Sequence, residues 1–320
     1  MRLIRCVDRD ALELVEYLDD ETPPYAILSH TWGKEEITFQ QFQGSTDELK
    51  GLAGFRKIQN ACNKARRLKL NFVWVDTCCI DKKSSAELSE AINSMFRFYQ
   101  RAKVCLAFLE DVRNPGSAEE QTLMESEFAK SRWFTRGWTL QELIAPRHIE
   151  FYAADWRFLG SKAETFSAAI SRITGIDGMV LRNPDLLRDG DICIANKMAW
   201  ASGRHTSRVE DMAYCLLGLF DVNMPLIYGE RDKAFIRLQE EIIRVSDDQS
   251  IFAHDQENKI LATDPIYFRG GARIVKAYDK RYSPSESFTM THRGLHIQLP
   301  LVAIANRIYQ GILQCRYRDD

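Results

Sequence analysis

The sequence has almost no net charge and lacks the common motifs for nucleotide binding or hydrolysis. Its 43 basic and 45 acidic residues leave a formal net charge of −2, so the overall field does not attract nucleic acid. No GxGxxG turn follows the first predicted strand, and the chain has no GxxxxGK[ST] loop, HExxH helix or GxSxG elbow. Because those motifs supply phosphate cradles, metal ligands or nucleophiles, conventional kinase and dehydrogenase functions are excluded. We expect no nucleic-acid partner.

Long apolar runs are also missing. The first ten residues, MRLIRCVDRD, are interrupted by charge too early for a secretory signal, and no later run approaches the roughly 20 residues that span a bilayer. The eight cysteines form no CxxC pair and no Cys/His ligand spacing, which indicates reduced, buried thiols and no metal site. We expect a cytoplasmic protein with no membrane span.

The first half of the chain alternates short apolar runs with amphipathic helices. Apolar positions recur every three or four residues in 55–68 and 84–101, which predicts two helices, the second with a capping box at its start. The short runs are rich in β-branched and aromatic residues. They are Tyr25–Ser29, Asn71–Asp76, Val104–Leu109 and His148–Tyr152. This alternation predicts an α/β fold with a parallel sheet covered on both faces.

The first two of these strands end in, or are followed by, residues that can contact a ligand. Ligands of parallel α/β sheets bind beyond the carboxyl ends of the strands. The candidate ligand-binding residues there are Ser29, His30, Trp32, Gly33, Asp76, Cys79 and Asp81. The two acids can equally cap the connection to the next helix, and His30 and Trp32 can equally close the strand end by packing. Cys79 has no histidine nearby in sequence to activate it.

One acid, Glu142, lies in a segment dense in aromatic and aliphatic residues, 131–146 (SRWFTRGWTLQELIAP). If 137–145 is a helix, Trp138 and Glu142 lie four residues apart on adjoining faces, so the carboxylate sits beside the buried side. Carboxylates in such places are usually paired or functional. A structural ion pair explains Glu142 as well as a function does. Its candidate partners are Arg132, Arg136 and Arg147.

Charged residues also precede an apolar helix predicted at 212–220. Hydroxyl and acidic side chains within Thr206–Asp211 can cap this helix and favour its first turn. Arg204 and Arg208 offer a functional alternative, since they can supply cations to an anionic ligand or form a salt bridge with Glu142. Both explanations stay open.

Several long motifs in a fixed order carry a family resemblance. They include YAILSHTWG (25–33), VWVDTCCIDK (73–82), SRWFTRGWTLQELIAP (131–146) and WASGRHTSRVEDMAYCLLGLFDVNMPLIYGE (200–230). They closely resemble the HET domain of fungal heterokaryon (vegetative) incompatibility proteins. The resemblance implies an intracellular effector of non-self recognition whose activation triggers growth arrest or programmed cell death. Arg231 departs from the pattern, because a glycine is usual there, and this concerns the geometry of one turn.

A more distant similarity is to Toll/interleukin-1 receptor (TIR) domains, which open with a strand and loop like YAILSHTWG. TIR domains that cleave NAD+ carry a Ser…Trp-Cys-x-x-Glu-Leu pattern with a catalytic Glu. Here Ser131, Trp138 and Glu142 match, and Thr139 replaces the Cys. The similarity implies a flavodoxin-like sheet and a catalytic Glu142 that stabilises the charge formed as the glycosidic bond breaks. The loop after Asp76 lacks the glycine usual in TIR domains.

These resemblances also imply a substrate site and a division of the chain. NAD+ would be a substrate rather than a cofactor, bound by the strand-end residues and by Arg136, Trp138, Arg204 and Arg208. Residues 1–155 would form the TIR-like core of the HET domain, 156–246 its helical remainder, and 247–320 a β-rich C-terminal extension.

Two functional hypotheses follow from this. In the first, the domain is an NAD+ glycohydrolase. In the second, it is a death-signalling module that acts by self-association and by recruiting a partner, and the same residues are structural. In either case, sensor or nucleotide-binding modules in the full-length protein or in a partner would supply recognition.

Overall fold

The computed structural model describes residues 1–6, 12–44, 46–113, 125–188, 192–277, 288–305 and 307–318. Two compact units are formed, Met1–Ile173 with Asp177–Pro184, and Thr174–Ile176 with Asp185–Asp320. The domain boundaries expected at 155 and 246 stay predictions. Among the described residues, none of the helices has the length and apolar character needed to cross a lipid bilayer.

A seven-stranded mixed sheet forms the centre of the first unit. Its strands are β1 Arg2–Arg5, β2 Glu13–Glu16, β3 Ala26–His30, β4 Phe72–Trp74, β5 Val104–Phe108, β6 Ile149–Tyr152 and β7 Phe158–Ser161. They lie in the order β2-β1-β4-β3-β5-β6-β7. The four strands in the middle, β4, β3, β5 and β6, are parallel. The four predicted strands and the α/β class are thereby confirmed.

The sheet extends beyond the predicted strands at both edges. β1 and β2 add an antiparallel pair on one side, and β7 adds an antiparallel strand on the other. Each has four residues, of which at most two are buried. These strands therefore lack the continuous apolar run that marks a strand buried on both faces.

The parallel strands bring the candidate residues to one edge. Among the four parallel strands, β3 comes first in the chain, but it lies in the sheet between β4 and β5, with β6 beyond β5. This order, second-first-third-fourth, is found in flavodoxin-like sheets. All residues of β3 and β5 are buried, as expected for a sheet with two covered faces. Because these strands are parallel, the residues that follow β3, β4 and β5 lie at the same edge.

Helices occur in both units. They are α1 Phe39–Phe42, α2 Ala53–Arg67, α3 Ser85–Arg101, α4 Thr139–Ile144, α5 Ser167–Thr174, α6 Gly178–Arg182, α7 Ile194–Ala201, α8 Asp211–Tyr214 and α9 Lys233–Val245. Residues 125–130 are also helical. The helices predicted at 55–68 and 84–101 are α2 and α3. All eight cysteines are free, and Cys315 alone is not fully buried.

Only half of the predicted capping box at the start of α3 forms. The Ser84 hydroxyl accepts a hydrogen bond from the backbone N–H of Glu87 at 3.3 Å. The Glu87 carboxylate accepts from the backbone N–H of Asp81 at 2.8 Å and from the guanidinium of Arg2. Glu87 therefore connects α3 to the loop before it and to β1.

The second unit is helical first and β-rich afterwards, as predicted. Its short strands are β8 Ile274–Lys276, β9 Thr289–Thr291, β10 Gly294–His296, β11 Leu301–Ala305, β12 Ile308–Gly311 and β13 Cys315–Tyr317. They form three antiparallel pairs, β9 with β10, β11 with β12, and β8 with β13.

Candidate active site

Glu142 lies on α4, whose C-terminal end is fixed by a buried lysine. The Lys162 ammonium donates to the backbone carbonyls of Leu143 at 3.2 Å and Pro146 at 2.6 Å. The Leu143 carbonyl belongs to the group that a helix end leaves without intrahelical partners, and Pro146 lies just beyond that end. Burial lowers the pKa of Lys162 to about 8, because the surroundings solvate the ammonium poorly. Lys162 thus holds the short helix in place against the sheet.

The Glu142 carboxylate accepts one short hydrogen bond from β3. Ser29 Oγ donates to Glu142 Oε2 at 2.5 Å and accepts from Trp133 Nε1 at 2.8 Å. The indole therefore occupies an acceptor position of Ser29 and leaves its single hydroxyl hydrogen for the carboxylate. The Tyr99 hydroxyl donates to the Leu28 carbonyl at 3.1 Å and also lies close enough to influence Glu142. Groups from β3, α3 and the 131–146 segment converge on this acid.

The surroundings of Glu142 favour its protonated form. Burial raises the pKa of Glu142 to about 8, and the charge of Asp76 acts in the same direction. The hydrogen bond from Ser29, the charge of Arg136 and the Tyr99 hydroxyl oppose this effect without overcoming it. The side chain keeps part of its surface open to solvent although its carboxyl lies deep. Near pH 7 the unliganded protein therefore holds Glu142 mostly protonated, and a cation placed beside it would favour ionisation.

Trp32 and Asp76 meet at the rim of this site. Trp32 Nε1 donates to Asp76 Oδ2 at 2.9 Å. The Lys82 ammonium lies 3.7 Å from the same oxygen and 3.7 Å from the centre of the indole ring, which is cation–π distance. Because 48% of Trp32 remains exposed, the rim offers an aromatic surface and both signs of charge to a ligand.

His30 is buried at the end of β3 and is neutral. Burial lowers its pKa well below the usual value, and the charge of Lys57 adds to the effect. Its Nε2 lies 3.7 Å from Asp76 Oδ1 and 3.9 Å from Glu36 Oε2, beyond hydrogen-bond distance. Among the described residues, neither ring nitrogen has a hydrogen-bond partner. Such a buried polar group is a place where a water or a ligand atom can bind.

Three other candidate residues make contacts that stabilise the loops after the strands. Asp81 Oδ1 accepts from Gln40 Nε2 at 2.6 Å and from the backbone N–H two residues later at 2.9 Å. The buried Cys79 sulfur lies 3.4 Å from the backbone nitrogen four residues earlier. The Gly33 N–H donates to Glu36 Oε1 at 2.6 Å. A ligand-binding role for these residues stays a prediction.

The arginines near Glu142 differ in what they contact. Arg132 pairs with Glu110, and its Nε lies 3.7 Å from Asp111, so this side chain is engaged by other acids. Arg136 is the cation whose charge lowers the pKa of Glu142, although burial has the larger effect. A structural ion pair alone therefore does not account for the state of Glu142. Trp138, immediately before α4, is half-buried.

Arg204 and Arg208 lie in the second unit. Arg204 is buried, and its Nε donates to the carbonyl of Trp200 at 3.2 Å. The Arg208 guanidinium lies 4.4 Å from the centre of the Tyr228 ring. Their expected role toward Glu142 or a ligand stays a prediction.

Sequence reasoning missed several residues that shape the site. Trp133 lies in the 131–146 motif and Tyr99 in the helix predicted at 84–101, and an aromatic side chain by itself indicates packing rather than contact with an acid. Lys162 lay outside those motifs, and no local pattern connects it to the end of α4. Within the described part of the chain, no three His, Cys, Asp or Glu side chains are grouped to hold a metal ion.

This fold occurs together with a recognised family pattern, which does not extend to Glu142. The heterokaryon incompatibility protein (HET) family matches residues 25–122, which include β3, β4, β5 and the rim residues. The resemblance predicted from the motifs is confirmed, and the chain carries a HET domain. A domain of unknown function, DUF8212, matches residues 233–265, which begin with α9.

A curated relative extends this match. The vegetative incompatibility protein HET-E-1 of Podospora anserina is 43% identical over 247 residues, covering 76% of this chain. The match spans 18% of the relative's own length. No solved structure shows a significant match.

Proposed function

We propose that this chain is an effector domain of a heterokaryon incompatibility protein and that it cleaves NAD+ at Glu142, with cell death as the outcome. The HET family match and the similarity to HET-E-1 support the incompatibility role. Because the match spans 18% of that relative, modules outside this chain have room to supply recognition.

One observation carries the chemical part of the proposal. Glu142 is a deeply placed acid at the carboxyl ends of parallel strands, held by Ser29 at 2.5 Å. An exposed tryptophan and Asp76 lie at the rim of the same edge. Ligands of such sheets bind at this edge, and an acid whose pKa is strongly shifted is a candidate for catalysis.

The proposed reaction needs one negative charge at a defined place. The bond between the nicotinamide nitrogen and the ribose breaks, its electron pair leaves with neutral nicotinamide, and the ribose acquires positive charge. Water then adds to the ribose, releasing a proton and giving ADP-ribose. The ionised Glu142 carboxylate stabilises the charged ribose. The positive nicotinamide ring of bound NAD+ itself favours that ionised form.

The test measures nicotinamide release from NAD+ by the purified chain. Several protein concentrations, with and without a crowding agent, cover the case in which assembly is required. We expect Glu142→Gln to lower the rate by about a hundredfold to a thousandfold, as removal of one transition-state contact typically does. Glu90→Gln is the matched control, because Glu90 is an exposed acid on α3, and it should keep the full rate.

Two outcomes would contradict the proposal. One is equal release by the wild type and Glu142→Gln, and the other is no release from folded wild-type protein under any assembly condition. In cells, full killing and full loss of NAD+ with Glu142→Gln would also reject the catalytic role.

A second candidate function is signalling by self-association without chemistry. The β11–β12 hairpin favours it, because its aliphatic side chains are strongly exposed, for example Leu301 at 64% and Ile304 at 62%. Large exposed apolar patches commonly mark interaction sites. Ile304→Lys should then abolish both self-association, measured by sedimentation, and killing, whereas Glu142→Gln should leave both unchanged. A monomeric wild type that still kills would exclude this function.

A further inference from the structure

A basic groove runs along α2 in the first unit. It encloses about 1020 Å³, and none of its lining residues belongs to the proposed NAD+ site. Its basic side chains are Arg56, Lys64, Arg66 and Arg67. A run of basic residues on a helix usually forms a solvated face, but Lys64 and Arg66 are only partly exposed. The turn at Asp155 and Trp156 also lines the groove, so the helix face is one wall of a concavity.

The cations of this groove are not neutralised by carboxylates among the described residues. Arg56 donates to a backbone carbonyl at 2.8 Å, and Arg66 contacts the Asn63 side chain and a backbone carbonyl. No hydrogen bond or ion pair joins the Arg67 side chain to another described residue. Asp155 is the one acid in the described lining, and it lies 3.3 Å from Arg157.

Lys64 shows the electrostatic consequence. Its ammonium lies 4.7 Å from the centre of the Tyr152 ring. Burial lowers the pKa of Lys64, the charge of Arg67 lowers it further, and the acids Glu150 and Asp155 act against this. The fold therefore holds a partly desolvated cation next to a second cation. A bound anion would relieve both the desolvation and the repulsion.

The donor set favours phosphate. Guanidinium groups match phosphate oxygens in a bidentate way, and an ammonium adds a point charge. Three amide side chains, Gln59, Asn60 and Asn63, add neutral donors to the same wall. Arg56, Asn60, Lys64 and Arg67 are spaced by four, four and three residues, which places them on one helix face. The volume lies at the upper end of the range for small-molecule sites.

We propose that this groove binds a compact anion that carries several phosphate groups. A nucleoside polyphosphate and an inositol polyphosphate share that chemistry. Both place several negative charges within the span of two helical turns, whereas one phosphate group would leave most of these cations without an anionic partner.

The test is calorimetric titration of the whole chain with inorganic tripolyphosphate, ATP, inositol hexakisphosphate and inorganic phosphate at fixed ionic strength. We expect the first three, or the one whose shape fits, to bind at least about tenfold tighter than inorganic phosphate. The double variant Lys64→Gln/Arg67→Gln should weaken that binding at least about tenfold, because hydrogen bonds to charged groups are lost. Tighter binding of ATP than of tripolyphosphate identifies a nucleotide, and tighter binding of the inositol compound identifies that class.

The matched control is Lys103→Gln/Lys130→Gln, which removes the same charge from exposed positions outside the groove. It should leave binding unchanged, and circular dichroism should show that both double variants are folded. Equal weakening by both double variants would overturn the proposal, because it would mean a nonspecific charge effect. A glutamate-rich peptide is titrated in the same way, and tighter binding of this peptide than of any polyphosphate would also overturn the proposal. The absence of any binding by the folded wild type would do the same.

Discussion

Two acids in the first turn or at the start of short helices, Glu142 in the first unit and Glu210 in the second, lie in environments that shift their pKa values in opposite directions. Glu142 accepts a hydrogen bond from the Ser29 hydroxyl, and burial raises its pKa to about 8. Glu210 accepts from the backbone N–H groups of Gly229 at 2.8 Å and Arg231 at 3.0 Å. Its own backbone N–H, with those two, lowers the pKa of Glu210.

The comparison separates a structural acid from a candidate catalytic one. Both side chains lie in tryptophan-containing motifs, and the sequence suggested pairing or catalysis for Glu142 and helix capping for the region of Glu210. Glu210 is itself buried, with 7% of its surface exposed, so the difference lies in the donors that face the carboxylate. Several backbone donors stabilise the ionised form of a carboxylate and the turn around it, whereas a buried carboxyl that has only hydroxyl donors is ready to ionise when a cation arrives.

The largest expected effect is on the free energy of unfolding, and it tests the difference between Glu210 and Glu142. Glu210→Ala removes the acceptor for two backbone N–H groups, so we expect the free energy of unfolding to fall by about 2–4 kcal/mol. Urea unfolding followed by tryptophan fluorescence at pH 7 measures it.

Glu142→Gln should change stability in the opposite direction at alkaline pH. A folded pKa above the unfolded value makes stability fall as pH rises toward 8, and the amide removes that loss.

At pH 8.5 the gain for Glu142→Gln should be on the order of 1 kcal/mol, since solvent reaches part of the side chain. At pH 4, where the carboxyl is protonated in both states, the gain should largely disappear. A loss of stability in Glu142→Gln at alkaline pH would show that Glu142, like Glu210, is held in its ionised form.

The next effect concerns the pH dependence of the proposed reaction. The ionised carboxylate is the active form, and its pKa in the free protein is about 8. We therefore expect kcat/KM for NAD+ to rise nearly tenfold per pH unit below pH 7 and to level off above pH 8, since kcat/KM reports the free enzyme. A rate independent of pH between 6 and 9 would contradict a catalytic carboxylate with this pKa.

The Ser29 hydroxyl should set the pH at which kcat/KM rises. This hydroxyl favours the ionised form of Glu142, so Ser29→Ala should move the rising limb of kcat/KM to higher pH. At pH 7 the rate should fall by roughly tenfold, because a hydrogen bond to a charged group is lost. Ser85→Ala serves as a control, since Ser85 is an exposed serine at the start of α3. An unchanged limb in Ser29→Ala would mean that Ser29 does not act on the carboxyl.

Local sequence patterns predicted the central elements of this fold. The strands β3 to β6 and the helices α2 and α3 have apolar periodicity over enough residues to be recognised. The edge strands β1, β2 and β7 do not, because each has four residues with charged or exposed positions. The order of the strands follows from packing between distant segments and has no local signal.

The site was predictable in part for the same reason. Glu142 was identified from its polar character in an apolar segment and from the resemblance to known domains. Its contact with Ser29 joins residues 113 positions apart, and Lys162 reaches the carbonyls of residues 19 and 16 positions earlier. Such contacts depend on how α4 meets the sheet. Sequence spacing alone does not contain that information.

The smallest expected effect concerns the turn that surrounds Glu210. Arg231 has φ 56°, the left-handed region in which a side chain costs about 1 kcal/mol, and glycine is usual there in HET domains. Arg231→Gly should therefore be more stable than Arg231→Ala by up to about 1 kcal/mol, because both remove the charge and only glycine relieves the backbone. Urea unfolding at pH 7 compares them. Since the Arg231 N–H donates to Glu210, the same comparison in a Glu210→Ala background should give a smaller difference, as the turn is no longer held. An equal difference in both backgrounds would show that Glu210 does not impose this conformation.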